Sequence, residues 1–297
     1  MRKIKTILFL DNSSTAKFLL KKTLENSSFN LISIVLSGEQ KFGKKIKIKK
    51  VKKFVLDKKN FFSINKLLKK EKPQIGFSYF NHKIPKNIYL SFEKGIINFH
   101  PSYLPYNKGR HSAFWSIYDD TPMGASAHWI NEKFDCGDIF TQKKLNLNKF
   151  CSAFQVYNAQ IKLLNSVILN TINSVSKLIF FKKRQKKIKN SYHFKDDIIK
   201  KITFSLQKKI SNEEFIKVIR GTKFKNNGIF ILKNKKTFKI ISTYSFKKNN
   251  KIKITRERFK KQYLFKDIFG NLDKKKYNYK IFLDKYTFYI KSLISKV

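Results

Sequence analysis

Several things are scarce in these 297 residues, and each scarcity excludes something. There are two cysteines, Cys136 and Cys151. Two cannot build a disulfide framework, and by themselves they cannot hold a zinc ion. Uninterrupted apolar runs of about 18 residues are missing, so no transmembrane helix and no membrane insertion are expected. The start, Met1-Arg2-Lys3-Ile4-Lys5, is basic, but the apolar run that follows stops at Asp11 and Asn12. That is too short for a secretory signal, which makes the cytoplasm the default expectation. The N-terminal region lacks the glycine fingerprint of a dinucleotide-binding turn. No repeat recurs at a period of about 20 to 50 residues.

Acidic residues are scarce as well: 19 against 66 Lys plus Arg, a net charge of +47. Taken literally, that charge points to nucleic acid or an anionic surface. The excess is almost all Lys, however, and it comes with many Asn, Ile, Phe and Tyr, residues that share AT-rich codons. It runs through the whole chain and forms no single patch. Compositional drift accounts for it better than a dedicated nucleic-acid surface does, so nucleic acid is disfavoured as a partner, though left open. A field this positive would still attract an anionic substrate such as a nucleotide diphosphate.

What is abundant is core-forming material. Hydrophobic residues make up 41%, with 30 Phe and 13 Tyr, enough for a packed core. Ile4 to Leu10 reads as a buried strand, and the Asp-Asn-Ser-Ser after it can cap a helix from about Thr15 to Leu24. Asn30 to Leu36 reads as a second strand, and residues 41 to 59 as a Lys-dominated surface segment. Phe62 to Lys70 is helical up to the stop at Pro73. Gln74 to Phe80 and Gly95 to His100 read as a third and a fourth strand. Strands alternating with helices imply a mostly parallel, Rossmann-like α/β sheet with helices on both faces. Gly124 to Ile130 and Ile139 to Leu145 add strands around a turn at Asp135 to Asp138. Ser152 to Phe181 carries the longest helical periodicity. Lys182 to Asn190 is a basic connector. Beyond it, strand-like runs such as Gly228 to Leu232 and Thr237 to Ile241 alternate with Lys-Asn turns. The expected division is 1–181, a linker at 182–199, and a smaller β-rich C-terminal domain at 200–297.

In such sheets, ligands bind beyond the carboxyl ends of the strands. The fourth strand ends there at Asn98-Phe99-His100, and Asn98 and His100 point to one side. With Asp135 in a later turn, this set suits acyl transfer to an amine. A neutral imidazole can take the amine proton. An amide N–H can stabilise the carbonyl oxygen as it gains charge. A carboxylate can orient the imidazole and raise its basicity. Spacing alone leaves a structural histidine and an ordinary Asp-x-Gly turn as the competing explanation.

Residues 96 to 138 resemble the core of the folate-dependent formyltransferases. Asn98-x-His100 is followed by Ser102-Tyr103-Leu104-Pro105, by the loop glycine Gly109, and by Asp135-Cys136-Gly137-Asp138. The resemblance implies the formyltransferase fold, Asn98, His100 and Asp135 as the catalytic set, and 10-formyltetrahydrofolate as co-substrate without a metal. It also implies that Phe80, Asn81, His82, Lys83, Ile84 and Asp138 border the folate. The stretch Tyr106-Asn107-Lys108-Gly109-Arg110-His111, then Phe114-Trp115-Ser116-Ile117-Tyr118 and Asp120-Thr121-Pro122-Met123-Gly124, is similar to the sugar-nucleotide N-formyltransferases. Asn190 to His193 and Ile219 to Phe224 resemble later segments of those enzymes. On that likeness the partner is a nucleotide-linked amino sugar, met by Tyr106, Asn107, Lys108, Gly109 and Trp115, and a homodimer is admitted. Lys108 stands where Arg is common, which keeps charge but loses bidentate geometry; Cys136 replaces a frequent Thr. Trp115 and Trp129 are offered as stacking platforms or core, and His111 and His128 are read as structural or supporting. The rival expectations are methionyl-tRNA formylation and a basic RNA-binding protein on an inactive formyltransferase scaffold.

Overall fold

The computed structural model describes residues 3–38, 51–189, 191–224, 228–233, 236–248, 262–264, 276–283 and 286–296. Residues 41–50 of the expected surface segment, and Asn190, lie outside them. The chain divides into two compact units that interleave in sequence: 1–109, 122–146 and 158–192 form one, and 110–121, 147–157 and 193–297 the other. The sequence reading instead divides the chain in linear order.

The first unit is built on β1 (Ile4–Leu10), α1 (Ser14–Glu25), β2 (Phe29–Leu36), β3 (Lys52–Val55), α2 (Lys58–Glu71), β4 (Ile75–Tyr79), α3 (Lys86–Tyr89), β5 (Gly95–His100) and β6 (Lys108–Gly109). After α4 (Ser112–Tyr118), which belongs to the second unit, come β7 (Met123–Trp129), β8 (Ile139–Leu145) and α5 (Ala153–Ser176), whose first turn also falls in the second unit. Seven strands form one sheet in the order β3-β2-β1-β4-β5-β7-β8. It is parallel from β3 through β5, and β7 and β8 then run antiparallel. β1 is central and nearly continuously buried, as expected for a strand covered on both faces. One face packs Leu8, Phe77, Phe99 and the inner side of α5; the other packs Phe9, Ile64, Leu68 and Ile96.

Local chemistry sets the helix ends. Ser13 caps α1, its hydroxyl accepting from the Ala16 N–H at 3.1 Å, and Asp57 caps α2 in the same way at Asn60. α2 ends at Glu71; Lys72 turns into the left-handed region (φ 48°) and Pro73 follows. Within the expected surface segment, Lys52–Val55 is an edge strand, because its backbone can still pair with β2. α5 stops at Ser176, short of Phe181: Leu178 takes φ 59° and turns the chain. Phe180 and Phe181 then pack against Trp129 and Phe140.

The second unit contains β9 (Tyr192–His193) at its boundary, α6 (Asp197–Ile202), β10 (Thr203–Ser205), β11 (Lys209–Ser211), α7 (Asn212–Thr222), β12 (Ile229–Lys233), β13 (Lys236–Lys248), β14 (Gln262–Leu264), β15 (Lys276–Leu283) and β16 (Tyr286–Lys296). Five strands make a sheet in the order β10-β12-β13-β16-β15. α7 is capped by Ser211, with Glu213 and Glu214 in its first turn favouring the positive end of the helix dipole. Phe215, Ile216, Val218 and Ile219 of α7 join Phe204, Ile231, Ile240 and Phe288 in the core. Gly221 brings α7 against α4; a Cβ there would lie 2.6 Å from the Phe114 ring. Among the described residues, no helix is long and apolar enough to cross a membrane.

Candidate active site

The carboxyl end of β5 and the turn after β7 carry a buried polar cluster. β5 and β7 pair so that Asn98 stands opposite His128, and His100 opposite Ser126. Cross-strand partners have their Cβ atoms within reach of each other, so the register itself makes the cluster. Ser126 accepts from the Leu104 N–H at 3.1 Å and donates to the Ser102 carbonyl at 2.8 Å. Gln142 on β8 donates to the Leu104 carbonyl at 2.9 Å. These bonds pin the loop 101–109 over the strand ends. Asn107 in that loop adopts φ 52°, and its carbonyl oxygen lies 3.2 Å from His100 Nε2.

Asp135 is the centre of the cluster. It is 9% exposed and sits at φ 52° in its turn. The Gly109 N–H donates to its Oδ2 at 2.8 Å. His100 Nδ1 lies 3.7 Å from Oδ2, and His128 Nε2 lies 3.3 Å from Oδ1. Burial pushes the Asp135 carboxyl up, but the His100 and His128 rings and the Gly109 N–H outweigh burial and hold it well below the usual carboxylate range. Two further contacts fix the turn. Gln185 Nε2 donates to the carbonyls of Asp135 and Gly137, at 2.9 and 2.7 Å. A Cβ at Gly137 would collide with the Trp129 carbonyl, so only glycine fits there.

The catalytic set expected from the sequence is thus brought together: a half-buried Asn98 amide, a buried His100 and a buried Asp135. Two residues that assemble the site were not assigned to it from sequence. His128, read as structural or supporting, contacts both Asn98 and Asp135. Gln185 lies in the basic stretch read as a connector, which is tied to the sheet: Lys183 exchanges backbone bonds with Ile139 at 2.8 and 2.9 Å. The parity of β7 was a usable signal for His128, since Ser126 and His128 share a face. Nothing local marks Gln185.

The other expected site residues scatter. Phe80 to Ile84 follow β4: Phe80 packs on Phe9, Ile84 is buried, and Asn81, His82 and Lys83 are exposed. His82, Lys83 and Pro85 line an open cavity of about 420 Å³ with Leu56, Asp57, Lys58 and Phe61. The Asp138 carbonyl accepts from the Trp129 N–H at 2.8 Å. Tyr106 is half-buried, Asn107 and Lys108 are buried, and the Lys108 N–H donates to the Ser191 carbonyl at 2.7 Å. Trp115, in the second unit and offered as a stacking platform or as core, is buried. It is 3% exposed, and its ring lies parallel to His193 at 3.9 Å, with Phe114 and Tyr118 at its edges. Apolar packing of α4 against α7 pulled it into the core. Trp129 is likewise core, donating its indole N–H to the Phe181 carbonyl at 2.8 Å. Among the described residues, no group of three or more His, Cys, Asp or Glu is placed to hold a metal ion.

Comparison with known proteins bears on the family and the fold. The sequence profile of the family described as Formyl transferase matches residues 5–172. A methionyl-tRNA formyltransferase from Malacoplasma penetrans is 27% identical over 264 residues, covering 84% of this chain and 80% of that protein. A GDP-perosamine N-formyltransferase from Brucella melitensis is 32% identical over 84 residues, 28% of this chain and 32% of its own length. The structure of an N-formyltransferase from Helicobacter canadensis, in complex with folinic acid and dTDP-3-aminofucose, superposes with a TM-score of 0.62 at 19% identity. That match covers 97% of this chain and 99% of that one.

Proposed function

The chain belongs to the formyl transferase family, and from that premise we propose that it transfers a formyl group from 10-formyltetrahydrofolate to the amine of a nucleotide-linked amino-deoxy sugar in the cytoplasm. One observation carries the chemistry: a buried carboxylate, Asp135, faces an imidazole beside the half-buried Asn98 amide at the carboxyl end of β5. The open cavity beside the 80–84 loop suits the folate. Its walls include Phe61, Leu56 and Pro85, and Lys58 and Lys83 supply cations for the glutamate carboxylates.

The co-substrate supplies the formyl carbon, and the neutral sugar amine is the nucleophile. Asn98 offers an amide N–H to the carbonyl oxygen as it gains negative charge. His100 takes the proton that the amine loses on attack; collapse of the tetrahedral adduct then breaks the bond from the formyl carbon to folate N10, which takes that proton and leaves as tetrahydrofolate. The His100 Nε2 faces the Asn107 carbonyl and its Nδ1 faces the Asp135 carboxylate, so both N–H groups of the imidazolium find acceptors. Nδ1 is the atom facing Asp135, whose charge stabilises the imidazolium that forms. The Gly109 N–H and the Gln185 clamp keep Asp135 in place. Lys108, whose side chain is largely buried beside the site loop, would meet the diphosphate of the sugar nucleotide.

The acceptor rests on the stretch from Tyr106 to Gly124. A further support is that the Helicobacter canadensis protein, solved with a dTDP-linked amino sugar, shares the fold across nearly the whole chain. A second reading, methionyl-tRNA formylation, is favoured by the 84% coverage of the Malacoplasma penetrans match and by the +47 charge. The deciding experiment offers 10-formyltetrahydrofolate with a panel of amino-sugar nucleotides or with methionyl-tRNA. Turnover only with a sugar nucleotide is expected. Robust turnover with methionyl-tRNA and none with the panel would transfer the function to the second reading.

A further inference from the structure

Just past the end of α5 the chain displays apolar side chains instead of hiding them. Leu178 is 56% exposed, Ile179 44% and Phe181 51%. A single exposed leucine needs no explanation, but three large apolar residues within four form a patch. The turn that carries them is tightly bonded. The Leu178 N–H donates to the Val175 carbonyl and the Ile179 N–H to the Ser174 carbonyl, each at 2.9 Å, the paired bonds that close a helix C-terminus. The Trp129 indole N–H holds the Phe181 carbonyl at 2.8 Å, and Lys183 is bonded to Ile139 two residues on. The left-handed position in such a closure usually falls to glycine. Here it is Leu178, at φ 59°, which accepts a steric cost while its side chain stays in water. Local strain spent on displaying an apolar side chain is a pointer to function.

Cations surround the same patch. Lys177 precedes it, and six of the eight residues from 182 to 189 are Lys or Arg. No acidic residue occurs between Asp138 and Asp196. Lys182 Nζ lies 5.2 Å from the centre of the Trp129 ring, and Lys94 Nζ, paired with Glu93 at 3.0 Å, lies 5.9 Å from that of Phe180. Compositional drift accounts for lysines; it does not account for a leucine held in a glycine's conformation among exposed neighbours. We propose that this face is a peripheral docking surface for an anionic lipid bilayer. Leu178, Ile179 and Phe181 enter the boundary between headgroups and acyl chains, and the flanking Lys and Arg meet the lipid phosphates. The chain then lies on the membrane without spanning it. The aliphatic pair favours lipid over RNA, because neither Leu178 nor Ile179 can stack on a base or bond a phosphate. A second copy of the chain is disfavoured, because a symmetric contact would set like charges face to face. The closed backbone of the turn loses little freedom on docking. None of these residues belongs to the catalytic set, and the proposal stands apart from the formyl-transfer reading.

The test uses the full chain and vesicles of phosphatidylcholine, alone or with about one third phosphatidylglycerol, at near-physiological salt. Binding to the anionic vesicles should be at least about 10-fold tighter than to the neutral ones; equal binding would overturn the proposal. A chain of net charge +47 can also adsorb by charge alone, and Leu178→Gly combined with Ile179→Ser separates the two. That variant keeps every charge, and glycine suits the left-handed turn, so it should melt no lower than wild type. It should bind anionic vesicles on the order of 10-fold more weakly; unchanged binding would leave charge alone and refute the docking face. Insertion is read separately by placing a fluorophore with Ile179→Trp and measuring the quenching added by bromine-labelled lipid. Phe62→Trp, at an exposed position on α2, is the comparison. Quenching at 179 and not at 62 is expected, and equal quenching at both would show adsorption without a preferred face. Binding of unrelated tRNA by the double variant should match wild type. A loss there as large as the loss on vesicles would assign the patch to nucleic acid instead.

Discussion

Replacing Asp135 with asparagine separates its charge from its shape. The substitution is isosteric, and the site can accommodate it. The amide oxygen can accept the Gly109 N–H in place of Oδ2. What disappears is a negative charge 3.7 Å from Nδ1 of the His100 ring, which becomes positive as the amine is deprotonated. At that distance and an effective dielectric constant of about 20, a full charge pair is worth about 4 kcal/mol. With roughly 1.4 kcal/mol per factor of ten, the ceiling is about 10³ in rate. Charge only partly developed in the transition state lowers that, so kcat should fall on the order of 10²- to 10³-fold with KM little changed. The assay follows the absorbance change as 10-formyltetrahydrofolate becomes tetrahydrofolate under saturating acceptor, and thermal melting confirms that the variant is folded. A folded Asp135→Asn enzyme with near wild-type kcat, or with the whole loss in KM, would refute the reasoning. The carboxyl is held below its ordinary range in the folded protein, so it contributes stability above that range and loses it as pH falls through the folded value. The melting-temperature gap between wild type and variant should therefore narrow progressively in acid; a gap that widens there would contradict the charge assignment.

Replacing His100 with asparagine should keep the fold while lowering kcat on the order of 10²-fold or more, as for a lost general base; near wild-type turnover would remove His100 from the set. Gln185→Ala strips the Asp135 and Gly137 carbonyls of their shared donor; a stability loss of about 1–2 kcal/mol in denaturant titration should come with a several-fold fall in kcat, and unchanged values of both would dissociate Gln185 from the site. Gly137→Ala should fail to fold or melt far lower, since its Cβ has no room against the Trp129 carbonyl; a wild-type melting curve would show that the turn is placed otherwise. If the Lys excess is drift, tRNA binding should be indiscriminate and steeply lost with added salt, while transfer to a sugar nucleotide falls less; tight, selective tRNA binding near physiological salt would favour the second reading.

Much of this site was legible in the chain because its parts are local. Asn98 and His100 are two residues apart on one strand, and strand geometry alone puts them on one side. The sharp Asp135 turn is signalled by Gly137, whose missing Cβ is a local necessity. The layered α/β architecture follows from buried runs such as Ile4 to Leu10 alternating with capped helices such as the one begun at Ser13. Motif resemblance extended that reading to the family, since the loop from Ser102 to Gly109 and the Asp-x-Gly-Asp turn occur in order.

What the chain could not show by itself depended on pairing across long separations. The antiparallel register of β7 on β5 sets His128 opposite Asn98, 30 residues away, and a shift of one residue would have turned His128 to the other face. Gln185 reaches Asp135 from 50 residues downstream, out of a stretch whose Lys content disguised it as a connector. Trp115 carried a motif resemblance outward toward substrate, yet the packing of α4 on α7 through Gly221 buried it beside His193. Composition and short-range pattern determined the layers, the strand ends and the chemical types available at them. Register and side-chain packing, which are settled only when distant segments compete for the same buried surface, decided which of those groups meet.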